Sequence, residues 1–199
     1  MEPSIALYNN LILGDQYINQ NVLMQLAPKM ELKADLNKYN QLIGILFSVA
    51  KDFKLEDLYI GQEHQEIIEA INNWNIEKPF KLWNIDHHHD ASYITLAKKP
   101  TFEDIVNEPL SCGNWVVHLK HDNPLFKEYI WVNNKNSDTF MLDPARELLE
   151  PYFISADPEI INWHRFDKIF ICRSPGWMPP YYDCLINALT FSLETYIKK

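Results

Sequence analysis

From Leu36 to Phe53 apolar side chains recur at helical spacing: Tyr39, Leu42, Ile43, Leu46, Phe47 and Ala50. Asp35 stands where a cap would, so the stripe predicts a helix that turns one face to a core. The rhythm then changes. Leu58-Tyr59-Ile60-Gly61 is a short apolar run that reads as a strand. Gln65 to Trp74 reads as a helix with Ile67, Ile68 and Ile71 on one face. Phe80 to Ile85, bounded by Pro79 and ended by charge, reads as a second, buried strand. Strand, helix, strand in this order predicts a βαβ unit with a parallel pair, which sets the ends of both strands on one edge of a sheet.

Further along, Thr101 to Val106 predicts a short helix, with Thr101 and Asp104 spaced as a capping pair. Val116 to Lys120 fits helix or strand. Tyr129 to Val132 reads as a strand and Thr139 to Leu142 as another, before a polar turn at Asp143-Pro144 and a single helical turn over Ala145 to Leu149. Lys168 to Cys172 is a buried strand. Pro179 and Pro180 suit the start of a last helix, 181–197, with Leu185, Leu189 and Ser192 or Leu193 inward. Near the start, Ile5 to Tyr8 and Leu11 to Leu13 fit a short strand or a strand pair around Asn9-Asn10. The expected fold is a three-layer α/β/α arrangement with a mostly parallel central sheet. No repeat, low-complexity stretch or linker interrupts the chain, so the expectation is a single domain, residues 1–199.

Composition narrows the functional classes. An apolar content of 47% over 199 residues is enough for a sizeable core, and six Trp with ten Tyr favour broad, partly polar pockets. The net charge of −9 argues against a nucleic-acid surface and fits a cationic substrate or partner. Cys112, Cys172 and Cys184 are far apart and form no C-x-x-C pair, which points away from a zinc ribbon or a disulfide framework. The first residues show no basic stretch followed by an apolar one, and the longest apolar stretch, Leu42 to Ala50, is too short to span a bilayer. The expected setting is the cytoplasm, away from membranes.

The chemistry concentrates after the second strand, in Asp86-His87-His88-His89-Asp90. Open α/β sheets build their sites at the carboxyl ends of strands. Extended chain alternates its faces, so Asp86, His88 and Asp90 are expected on one side and His87 and His89 on the other. Two carboxylates and an imidazole suit Mn²⁺, Fe²⁺ or Zn²⁺. His64, between the first strand and its helix, is expected at the same edge.

These features, with Gly113-Asn114 and the late Ser174-Pro175-Gly176-Trp177-Met178-Pro179-Pro180, resemble the arginase/deacetylase superfamily over roughly residues 58–190. More closely they look like the small arginase-like branch that includes the peptide arginases of ribosomal-peptide maturation. The resemblance implies a reduced arginase/deacetylase-like fold. It implies metal ligation by His64, Asp86, His88 and Asp90, with two Mn²⁺ ions or one. Asp90 would also act in catalysis, His118 or His121 would shuttle a proton, and Asn114 would contact the substrate. The partner would be an arginine-containing precursor peptide, hydrolysed to ornithine with release of urea.

The chain departs from that pattern in two places. The later Asp-x-Asp ligand pair of arginases is missing. The corresponding strand ends Cys172-Arg173-Ser174, which leaves Cys172, Ser174, Asp183 or a single metal as the alternatives. The histidine two residues past Gly-Asn is replaced by Val116, although His118 and His121 lie near. The chain is also shorter than a full arginase, which implies a more open pocket suited to a peptide side chain. Three rival readings stand beside it. Ile85-Asp86-His87-His88 also matches the Asp-His-His phosphoesterases, but no early Asp-x-Asp accompanies it. A deacetylase-like amidohydrolase would use a single Zn²⁺. A non-catalytic binding protein would tolerate the missing ligands. No sequence feature specifies an oligomeric state.

Overall fold

Along the chain the elements are helix α1 (Leu36–Val49), strand β1 (Leu58–Gly61), helix α2 (Ile67–Asn73), strand β2 (Phe80–Ile85), helix α3 (Phe102–Val106), helix α4 (Trp115–Asp122), strands β3 (Phe126–Val132), β4 (Tyr152–Ser155) and β5 (Ile169–Cys172), and helix α5 (Asp183–Ile197). The structure, a computed structural model, describes residues 36–49, 53–91, 100–133, 147–155, 157–163, 165–175 and 183–197. The described residues fall into two compact units. One runs up to Glu63 and resumes at Phe166, and the other is His64–Arg165.

In the first unit β1 and β5 pair in parallel, from Leu58 opposite Ile169 to Gly61 opposite Cys172. The pairing continues past the strands: the N–H of Arg173 donates to Gly61 O at 3.0 Å and that of Ser174 to Gln62 O at 2.9 Å. Leu46, Ile171, Leu189 and Leu193 form the core here, with Leu42, Ile43, Phe47, Leu58, Ile169 and Ile186 packed against it. The helical periodicities of α1 and α5 supply their share of these residues, and Phe47 stacks on Tyr196 with centroids 5.0 Å apart. At the amino end of the strands the Lys168 ammonium pairs with Asp57. Burial works to raise the Asp57 carboxyl, but the Lys168 bond and the backbone N–H of Lys54 outweigh it and hold the group below its ordinary value.

In the second unit three strands pair in parallel in the order β2-β3-β4. The middle strand is buried along most of its length: Phe126 and the run Tyr129 to Val132 are all covered, as expected of a parallel strand enclosed on both faces. Ile67, Ala70 and Ile71 of α2 are buried, as are Trp115, Val116, Val117 and Leu119 of α4. Thr101 and Asp104 form the expected capping box on α3, Asp104 N–H to Thr101 Oγ1 at 3.1 Å and Thr101 N–H to Asp104 Oδ2 at 2.8 Å.

The α/β class with parallel pairing is as expected. The strands, however, divide between two sheets, and β1 and β2 pair with β5 and β3 instead of with each other. The open choice over 116–120 resolves as helix. β4 was not expected from the sequence: Phe153 is 52% exposed and the four residues are too few to show alternation. The predicted segments 5–13 and 139–142, the start of the last helix before Asp183, and Ala50 lie outside the described residues, as does the side chain of Tyr39. Among the described residues no helix is long and apolar enough to cross a membrane.

Candidate metal centre

Strand β2 stops at Ile85, and Asp86 turns the chain away. The N–H of His87 donates to Asp86 Oδ1 at 2.5 Å, a local bond of the kind that draws backbone out of a ladder. Bends follow over 86–88. The segment is then suspended from its surroundings by aromatic side chains. Tyr129 and Trp131 are two residues apart on β3, so both project from one face. Trp131 Nε1–H donates to Asp86 O at 2.9 Å, and Tyr129 O–H donates to His89 O at 2.7 Å. Asn84 braces the arrangement, donating to Tyr129 Oη at 2.9 Å and to His88 O at 3.3 Å. Trp115, the first residue of α4, donates its indole N–H to Asp90 Oδ2 at 2.9 Å. The next residue, Val116, donates its backbone N–H to Asp90 O at 3.3 Å.

Asp90 has φ of 51°, in the left-handed region. Aspartate tolerates this region better than most residues, at a cost of roughly 1–2 kcal/mol. The turn brings its buried carboxylate to His64, with Nδ1 and Oδ2 2.7 Å apart. Asp86 Oδ2 lies 3.4 Å from the same nitrogen. One donor atom from each of His64, Asp86 and Asp90 thus lies within 4.8 Å of the others. Burial and the negative charge of Asp90 push the Asp86 carboxyl up to about 7, against the pull of His64.

This group could hold a metal ion, and its chemistry fits one. Asp86 Oδ2 is buried and has no hydrogen-bond partner, an expensive state for a carboxylate oxygen. A cation between the three donors would supply that partner and relieve the repulsion of the two carboxylates. One imidazole nitrogen and two carboxylate oxygens match the preferences of borderline and hard divalent ions.

His64, Asp86 and Asp90 therefore come together as the sequence predicts, and His88 does not join them. Its ring stands edge-on to that of His87, with centroids 4.8 Å apart. Alternation fails because the bends at 86–88 and the left-handed Asp90 end the extended geometry on which it depends. His89 is buried, with its ring edge-on to Trp131. Asn114 is also buried, but its amide closes the preceding loop: Oδ1 accepts from Ser111 N–H at 2.8 Å and Nδ2 donates to Pro109 O at 3.0 Å. That use leaves it poorly suited to the substrate contact expected of it. His118 lies one turn beyond Trp115 on α4, and its Nε2 is buried with no hydrogen-bond partner. His121 is exposed and paired with Asp122 Oδ1 at 2.7 Å. In the other unit Asp183 pairs with Arg173 at 2.7 Å, Cys172 Sγ lies 3.5 Å from Gln62 O, and Ser174 is buried at φ of 49°.

Sequence reasoning missed Asn84, Trp115, Tyr129 and Trp131. A signal was available: buried Tyr and Trp need partners for their polar tips, and carbonyls of a loop leaving a neighbouring strand are a ready supply. Comparison of the chain with protein-family models, curated proteins and solved structures gives no match.

Proposed function

We propose that the chain is a metal-dependent hydrolase that converts arginine side chains of a precursor peptide to ornithine with release of urea. The observation that carries this reading is the convergence of His64, Asp86 and Asp90 beside a carboxylate oxygen with no hydrogen-bond partner. The motif resemblance supplies the reaction class, and the net charge of −9 favours a cationic substrate. The expected setting is the cytoplasm.

His64, Asp86 and Asp90 would hold the ion, and Mn²⁺ suits their mixture of hard oxygens and imidazole. When bound, such an ion supplies Lewis acidity and brings the acidity of a water into the neutral range. Asp90, oriented by the indole N–H of Trp115, takes the proton of the attacking water. The guanidinium carbon gains the C–O bond and loses its bond to the side-chain Nε. His118 passes one proton to that departing nitrogen, a role favoured by its partnerless Nε2 and its position one turn from Trp115, Asp90 returns the other, and the hydroxyl proton of the adduct restores His118 as urea leaves. Guanidinium and water thus give ornithine ammonium and neutral urea, with charge conserved.

A second reading has one observation in its favour. The described residues contain a single three-donor cluster, the complement of one ion, which suits a Zn²⁺-dependent, deacetylase-like amidohydrolase acting on acyl-lysine. One experiment separates the two. Full-length protein is incubated with Mn²⁺ or Zn²⁺ and with peptides containing arginine or acetyl-lysine, followed by mass spectrometry. A loss of CN₂H₂ per arginine, with urea, is the expected result. Release of acetate moves the assignment to the second reading, and no change in either peptide overturns both.

A further inference from the structure

We propose that Trp115 is the positioning residue of this centre, its indole N–H fixing the Oδ2 oxygen of Asp90 for the cation. The inference rests on the metal-centre reading and goes beyond its ligands. Asp90 Oδ2 accepts two bonds, from His64 Nδ1 at 2.7 Å and from Trp115 Nε1 at 2.9 Å. The two donors differ in kind. An imidazole nitrogen that becomes a ligand has no proton left to donate, so the His64 bond is given up when an ion enters. An indole nitrogen is a donor only. The Trp115 bond is therefore the one that persists while His64 changes role, and it keeps the carboxylate from turning.

The setting of Trp115 matches this task. It is 3% exposed, and its ring is packed edge-on to Tyr129, centroids 6.5 Å apart. Val116 bonds the backbone carbonyl of Asp90, so the first turn of α4 grips Asp90 at both main chain and side chain. Hydrogen-bond partners of metal ligands are worth about 10–100-fold in metal affinity.

The test measures Mn²⁺ binding to the full chain by equilibrium dialysis, with unfolding midpoints taken without metal. Two altered chains are compared with the original. One is Trp115→Phe. The other carries benzothienylalanine in place of Trp115, which keeps the bicyclic shape but has sulfur instead of the N–H. Both are expected to bind Mn²⁺ about 10–100-fold more weakly. The benzothienyl chain is expected to do so with its midpoint close to the original, because its packing is preserved. A benzothienyl chain that binds as tightly as the original overturns the proposal and makes Trp115 a packing residue. An original chain that binds no Mn²⁺ overturns the metal centre and the proposal with it. Peptide hydrolysis is not read in this experiment, so its outcome is separate from that of the reaction assignment.

Discussion

His64 and Asp90 stand 26 residues apart in the chain and meet at 2.7 Å, Nδ1 to Oδ2. The contact joins the 3₁₀ turn His64–Glu66, which leads into α2, to the loop that leaves β2. Asp86 approaches the same nitrogen from the near end of that loop. A centre made in this way depends on two backbone turns, and its members differ in how replaceable they are.

His64→Ala removes a donor atom from the cluster, whereas His88→Ala removes a ring that lies against His87. Isothermal titration with Mn²⁺ should show at least a tenfold loss for the first, in line with the cost of disturbing a ligand shell. The second should bind within about twofold of the original, since the donor atoms of the cluster come from His64, Asp86 and Asp90. Equal losses in both would place His88 in the shell.

Metal binding should depend on pH through Asp86. A carboxyl that titrates at about 7 must give up its proton to an ion. Apparent Mn²⁺ affinity should rise about tenfold per pH unit below 7 and level off above it. In the metal-free protein the sign reverses for stability. The folded state holds a proton that the unfolded chain, with an ordinary value of 3.8, has released. Stability from this group therefore falls between pH 4 and 7, by at most about 1.4 kcal/mol per unit. Urea melts of Asp86→Asn should lack that slope.

Tyr129→Phe keeps the ring and deletes the hydroxyl that bonds His89 O and accepts from Asn84. Burial and the charge of Asp90 hold this hydroxyl well above its ordinary value, so it remains a donor at any working pH. The expected cost is about 1–2 kcal/mol in urea unfolding, because buried partners are left unsatisfied. Hydrogen exchange should quicken at residues 88–91 before it does in β3.

Asp57→Asn tests the other unit. The carboxyl of Asp57 is held below 3.8 by Lys168 and the Lys54 amide, against its burial. Its stabilisation is present above that value and lost as pH falls through the lower folded one. The variant should lose about 1–2 kcal/mol near pH 7, and the difference should fade in acid, where the original is protonated as well.

Much of the fold was legible because periodicity is a local property. Leu58–Gly61 and Phe80–Ile85 are strands over the same residues that their apolar runs predict. The division into two sheets was not legible, because chain order does not state which strand takes which neighbour. At the site, the residue types of His64, Asp86 and Asp90 were enough to nominate them. His88 was misplaced for a physical reason: alternation is a property of extended chain, and extension ends at Ile85. Trp115 and Tyr129 were invisible as site residues because their role depends on tertiary contacts 25 and 40 residues distant.

The suspension of the 86–90 loop from α4 and β3 also sets an order of events during synthesis. A nascent chain that has emerged only as far as Cys112 already carries His64, Asp86 and Asp90, but none of the three aromatic donors that hold their loop. Trp115 then brings the bond to Asp90, and the bond to the carbonyl of Asp86 waits for Trp131. The meeting of His64, Asp86 and Asp90 thus rests on a loop whose fastenings close late in the growing chain.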